Sequence, residues 1–258
     1  MSRLKDKVAL VTGASSGIGE ACAIAFAREG ASVVIGARRF EKLKTLAETI
    51  SQTYGVAALP IALDVRDERS CENFIAQSLE RFGQIDVLVN NAGLARGRDF
   101  VAHLQEADMR EMFETNVFAV LRLTRLALDS MLKANSGHII NIGSVAGYAT
   151  YEGGASYCAT KFGVRAISEA LRFELLGKNI RVSSVSPGLV RTEFSLTRFR
   201  GDAEKARRVY EGYQPLSSDD VAECVIFAAT RPPHVDIEDI IVRPTHQAGF
   251  KVHRANSL

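Results

Sequence analysis

The chain has 258 residues, room for one large α/β domain or two small ones. Hydrophobic residues are 47% and charged residues 24%, the profile of a soluble globular protein with a substantial core. A formal net charge of +2 gives no compositional support to a nucleic-acid partner, and no apolar run approaches the ~20 residues of a membrane span.

Residues 1–7 are polar and lead straight into the first predicted strand, 8–11, so no signal peptide is expected. That strand runs into Thr12-Gly13-Ala14-Ser15-Ser16-Gly17-Ile18-Gly19, and a helical pattern covers 18–28. A strand that turns sharply into a helix leaves the first helical N–H groups pointing, without partners, at whatever sits above the turn. With the helix dipole they favour an anion, most often a phosphate. A side chain at Gly13 would crowd the turn. A Cβ at Gly17 or Gly19 would hold the backbone off a diphosphate or the helix off the sheet. In this strand–helix context the spacing G-x-x-x-G-x-G predicts a dinucleotide site.

The second strand, 33–36, leads to Arg38-Arg39. In NAD sites an acid here receives the adenosine ribose hydroxyls. This chain has two arginines and no acid. A guanidinium pairs two-pronged with a 2′-phosphate and stacks on adenine. NADP(H) is therefore the predicted cofactor, with Arg38 as the main contact and Ser15 and Arg39 assisting; the alternative is a pair of surface arginines opening the helix at 41–52. After the third strand, 56–62, Asp64 is placed to accept from the adenine amino group. A helix at 69–82 and a strand at 85–90 precede Asn90-Asn91-Ala92-Gly93, an unencumbered turn over the adenosine side. Ordinary strand-end turns would also use these residues.

A long helix is predicted over 106–132, with Asn116 inside it. The strand at 138–142 is followed by Ser144, and the helix at 155–176 carries Tyr157 and Lys161. At i and i+4 these two share one helix face. A free tyrosine, with a pKa near 10, shuttles protons poorly at neutral pH. A neighbouring ammonium lowers that value, which makes the pair an acid–base device for carbonyl–alcohol interconversion. Ser144 would hydrogen-bond the substrate oxygen and steady its charge, and Asn116 would hold a water linking Lys161 to solvent. By itself Tyr-x-x-x-Lys is common on helices. Its weight comes from the strand ending in serine and the dinucleotide loop upstream.

A sixth strand, 180–186, precedes a long basic excursion at about 188–215, which reads as a substrate loop or lid. The last helix, 218–229, is opened by Ser218-Asp219 and closed by Pro232-Pro233, and a seventh strand covers 236–242. Gly30, Gly83 and Gly177 are expected C-caps. The basic tail after Arg243 could reach a neighbouring subunit. Strand–helix alternation throughout predicts an α/β fold: a doubly wound, parallel, seven-stranded sheet forming one domain over 1–258. Cys22, Cys71, Cys158 and Cys224 are scattered and read as reduced thiols in the cytoplasm; the five histidines show no ligand spacing, so no metal is assigned.

Together, Thr12-Gly13-x-x-x-Gly17-Ile18-Gly19, Asn90-Asn91-Ala92-Gly93, Asn116, Ser144, Tyr157, Lys161 and Pro187-Gly188 resemble the short-chain dehydrogenase/reductase family over nearly the whole chain. The resemblance implies a Rossmann-type sheet, a Ser144–Tyr157–Lys161 triad assisted by Asn116, and a homotetramer. It implies cofactor contacts from Ser16, Ile18, Val65, Pro187, Gly188, Val190 and Thr192 as well. More narrowly, Asn91-Ala92-Gly93-Leu94-Ala95, the run from Gly188 to Ser195, Arg198-Phe199, Gly201-Asp202, Pro233-His234-Val235-Asp236-Ile237 and Val252-His253-Arg254 are similar to the NADP-dependent serine and 3-hydroxy acid dehydrogenase group. Arg191 departs from that pattern where a small residue is expected. A small 3-hydroxy acid or its semialdehyde is the expected substrate, with Arg191 or Arg198 to meet its carboxylate unless they face water. The alternatives are a reductase of larger, less polar carbonyls and a non-catalytic NADP-sensing regulator.

Overall fold

The computed structural model describes residues 2–255. Seven strands, β1 Val8–Thr12, β2 Ser32–Ala37, β3 Ala58–Ala62, β4 Val87–Asn90, β5 Gly137–Ile142, β6 Ile180–Pro187 and β7 Asp239–Val242, form one sheet in the order β3-β2-β1-β4-β5-β6-β7. Every pairing is parallel. The helices are α1 Gly17–Arg28, α2 Phe40–Tyr54, α3 Glu68–Phe82, α4 Glu106–Phe113, α5 Ala119–Ala134, α6 Ala155–Glu174, α7 Phe194–Arg198, α8 Ala203–Arg208 and α9 Ser218–Ala229. None is long and apolar enough to cross a membrane.

The central strands are apolar throughout because both of their faces are covered. Along β1, Ala9 and Val11 enter a core with Phe26 of α1, Leu43 of α2 and Val225 of α9. Val8 and Leu10 point the other way, into a core with Phe74 of α3, Leu123 and Met131 of α5 and Leu171 of α6. The chain reverses its winding at β1, which pairs with β2 on one side and β4 on the other. A crevice opens beyond the C-terminal ends of β1 and β4, where ligands of such sheets bind.

The doubly wound seven-stranded expectation holds, with local differences. The helix expected over 106–132 is interrupted by a π turn, Glu114–Phe118, with Asn116 at its centre. A single widened turn leaves the apolar stripe readable on either side, so periodicity does not reveal it. The cap of α9 is Ser217, not Ser218. Its hydroxyl accepts from Asp220 N while the Asp220 carboxylate accepts from Ser217 N at 2.7 Å, a reciprocal capping box. Gly83 caps α3 in the left-handed region, whereas Gly30 and Gly177 lie just beyond the capping residues Glu29 and Leu175. The 188–215 excursion contains α7 and α8. The tail after Arg243 turns back on its own chain as a two-stranded hairpin, β8 Gln247–Ala248 with β9 Lys251–Val252, and Arg254 donates to the carbonyls of Arg208 and Val209.

Phe26 is fully buried where α1 meets the sheet. Phe26→Ala is expected to destabilise the protein by about 3–5 kcal/mol, seen as a lower urea midpoint at an unchanged m-value.

Candidate active site

The glycine loop is held from beside and below. The Thr12 hydroxyl accepts from Asn91 N at 3.1 Å and Ala92 N at 3.0 Å, and donates to Val89 O at 3.3 Å. The Asn91 amide donates to Thr12 O at 2.8 Å and Gly13 O at 3.3 Å. Gly13 has φ +67°, and a Cβ there would lie 2.9 Å from the Ala92 Cα. Gly17 has φ +62°, and a Cβ there would meet Thr192 at 3.3 Å. A Cβ on Gly19 would run into the Asn91 amide and sit 2.5 Å from Gly13 O. Gly19 therefore seats α1 against the loop and does not line the cleft. Ser16, the N-cap of α1, makes no side-chain cap hydrogen bond. This close-fitting cradle under an open helix N-terminus suits a diphosphate.

A cleft of about 590 Å³ runs from this cradle to α6. The end where the sequence predicts the adenosine is walled by Gly13, Ser15, Ser16, Gly17, Ile18, Arg38, Arg39, Asp64 and Val65. Asn91, Ala92 and Gly93 lie along the middle, and Ser144, Tyr157, Lys161, Pro187, Gly188, Val190, Thr192 and Arg198 complete the wall. Arg39 donates from Nε to Ser15 at 3.0 Å, and from its two terminal nitrogens to Ser16 at 2.5 Å and Glu193 at 2.7 Å. The Arg38 guanidinium makes no hydrogen bond to another described residue. Arg66 chelates Asp64 and holds its carboxyl below the usual range.

At the other end, Lys161 and Tyr157 sit one turn apart on α6. The buried Lys161 ammonium donates to Ile142 O at 2.8 Å, and burial pushes its pKa down to about 8. Burial pushes the Tyr157 phenol up to about 12, the opposite of the lowering expected from Lys161. The cation that opposes this rise is Arg198, whose guanidinium lies 4.9 Å from the phenol ring centre; a hydrogen bond with Ser144 also lowers it. Ser144 in turn accepts from Ala146 N at 3.1 Å. Asn116 stands outside the cleft wall. Its amide donates to Leu94 O at 2.8 Å and Thr160 Oγ1 at 3.0 Å, and its oxygen accepts from Leu94 N at 2.9 Å. The side chain thus latches the loop after β4 to α6. Arg191 is exposed, 5.8 Å over the Tyr210 ring, and does not line the cleft.

Around Arg198, which the sequence did offer, Tyr151, Gln247 and Phe250 contribute without any sequence signal. Arg198 donates to Tyr151 Oη at 3.0 Å and packs against Phe194, while the Tyr151 and Phe250 rings meet at a tilt, their centres 4.7 Å apart. Gln247 Oε1 accepts from Leu189 N at 2.9 Å and fills the space a Cβ on Gly188 would need. These residues meet only through tertiary folding.

This fold and cleft define an α/β protein of the dinucleotide-binding class. The chain belongs to the short chain dehydrogenase family, whose model matches residues 7–202. It is 44% identical over 250 residues to the NADP-dependent 3-hydroxy acid dehydrogenase of Schizosaccharomyces pombe, covering 96% of each chain. It is 38% identical over 247 residues to the serine 3-dehydrogenase of Agrobacterium fabrum, covering 95% of this chain and 97% of that one. Among solved structures, a closed form of serine dehydrogenase complexed with NADP+ superposes with a TM-score of 0.89 at 40% identity, covering 96% and 99% of the two chains.

The depressed Lys161 value has a sign that can be checked. Between pH 8 and 10 the native lysine sheds its proton while the unfolded one keeps it, so native stability due to this residue rises with pH. Lys161→Met is expected to stabilise the protein near pH 7, by up to about 3 kcal/mol, and to flatten that rise. Thermal unfolding of both proteins from pH 7 to 10 reads the difference.

Proposed function

We propose that this protein is an NADP(H)-dependent oxidoreductase interconverting a carbonyl and an alcohol on a small 3-hydroxy acid or its semialdehyde. The observation that carries the reading is one cleft with a phosphate cradle and two arginines at one end and Ser144, Tyr157 and Lys161 at the other. The named activities of its relatives support it.

The loop amides from Gly13 to Ile18 and the α1 N-terminus would hold the diphosphate, and Arg38, Arg39 and Ser15 the 2′-phosphate. Asp64, Val65 and the Asn91–Gly93 turn would flank the adenosine; Pro187, Gly188, Val190 and Thr192 would flank the nicotinamide. Bound NADPH supplies a hydride to the carbonyl carbon. Tyr157, kept protonated by burial, donates its proton to the oxygen on which charge develops, and Ser144 orients that oxygen. Lys161 places a cation beneath the reacting groups and holds the ribose. Asn116 acts as a positioning residue by fixing α6 against the loop after β4.

Arg198 is the group we assign to the substrate carboxylate. It makes no ion pair with a described acid, and its Nε is buried without a hydrogen-bond partner. Arg191, outside the cleft, is not needed for this. We also propose that the segment at about 188–215 serves as a lid within a single catalytic domain. The exposed Phe118 at the end of the π turn, Leu121 of α5, and Phe162 and Phe173 of α6 support assembly as a homotetramer. The four free thiols suit the cytoplasm.

Tyr157→Phe is expected to lower kcat by roughly 10²–10⁴-fold while NADPH binding, followed by fluorescence, stays near that of the wild type. Arg198→Gln should raise KM for a 3-hydroxy acid by about ten- to a hundredfold and leave its methyl ester little changed. Equal use of acid and ester by the wild type would favour the second reading, a reductase of less polar carbonyls, which draws on the aromatic wall of Tyr151, Phe194 and Phe250.

A further inference from the structure

The segment after Gly188 reaches back to the adenosine end of the cleft through one side chain. Glu193 immediately precedes α7, and its carboxylate accepts from Arg39 at 2.7 Å and from Lys42 at 3.4 Å. The same Arg39 guanidinium is held by the hydroxyls of Ser15 and Ser16. An anion belonging to the protein is thus seated among the groups assigned above to the 2′-phosphate. Thr192 rests on Gly17, so the root of the segment is pinned to the glycine loop and carries the carboxylate to this spot.

The pair is built to be broken. The Arg39 and Glu193 side chains are 45% and 48% exposed, and an ion pair that open to water is weak. A phosphate with two charges and three acceptor oxygens satisfies a planar, fork-shaped donor better than a single carboxylate does. The two anions cannot share Arg39 without repelling each other at short range.

We propose that Glu193 is a built-in competitor for the cofactor's 2′-phosphate: it holds Arg39 until the phosphate takes that guanidinium, and its release frees the start of α7 from the adenosine end of the cleft. The proposal rests on the assignment of the 2′-phosphate to Arg38, Arg39 and Ser15. It makes Glu193 a residue that sets cofactor affinity from within the substrate segment, so that occupancy at the adenosine end is felt at α7, whose last residue is Arg198.

The test uses 2′-AMP and 5′-AMP, neither of which carries a nicotinamide, and the full chain. By calorimetry, Glu193→Gln is expected to bind 2′-AMP about two- to fivefold more tightly than the wild type and 5′-AMP equally well. In the wild type, 2′-AMP should speed amide hydrogen exchange across residues 193–198, and 5′-AMP should not. Unchanged or weaker 2′-AMP binding by Glu193→Gln, or unaltered exchange across α7, overturns the competitor role. A wild type that binds 2′-AMP no better than 5′-AMP, or an Arg38→Gln variant that binds 2′-AMP as well as the wild type, overturns the phosphate assignment and this proposal with it. A 2′-AMP preference that depends on Arg38 but is indifferent to Glu193 overturns the proposal alone.

Discussion

The joint between Thr12 and Asn91 governs the geometry of the cleft. One hydroxyl and one amide tie the end of β1 to the end of β4, the two strands between which the sheet reverses its winding. Without that tie the two strand ends could part, and the glycine loop between β1 and α1 would have no fixed floor. With it, the loop lies so close to Ala92 and Asn91 that a methyl group at Gly13 or Gly19 has nowhere to go. The open N–H groups of α1 are thereby aimed at one place above the loop, by hydrogen bonds and close backbone packing rather than by any charged side chain.

At the far end of the cleft, burial sets the ionisation. A phenol and an ammonium under the same cover shift in opposite directions, each towards its neutral form. The π turn at Asn116 and the hydrogen bonds from that side chain hold α6 in register with the loop after β4, so the two groups stay together beneath the cleft. Arg198 lies over the phenol ring and is the main local charge acting on it. In the function proposed above, substrate charge and proton transfer would meet on these adjacent groups.

The fold and half of the cleft were legible in the sequence because their signals are local. Apolar strands covered on both faces, a glycine spacing between strand and helix, and a tyrosine and lysine one turn apart each lie within a short window. The π turn was hidden, since periodicity survives on both sides of it. The direction of the Tyr157 shift was missed because it depends on how deeply the ring is buried, a property of the packed molecule. Tyr151, Glu193, Gln247 and Phe250 were invisible for the same reason: their partners lie far off in the chain. Arg191 and Arg198 looked alike as two arginines in one basic segment, yet only the second faces the cleft.

Gln247 over Gly188 and Phe250 against Tyr151 set the rim of the cleft apart from its floor, a doorway apart from an engine in the function proposed above. Strand ends, glycine loop and the first turns of α6 supply the engine; residues 189–199 and the hairpin after Arg243 supply much of the doorway. The two draw on almost separate stretches of chain but touch at Glu193–Arg39 and Arg198–Tyr157, so exchange of the rim leaves the floor undisturbed where those two contacts are kept. A single scaffold of this design can be refitted for new molecules at its rim while its reacting centre is inherited intact.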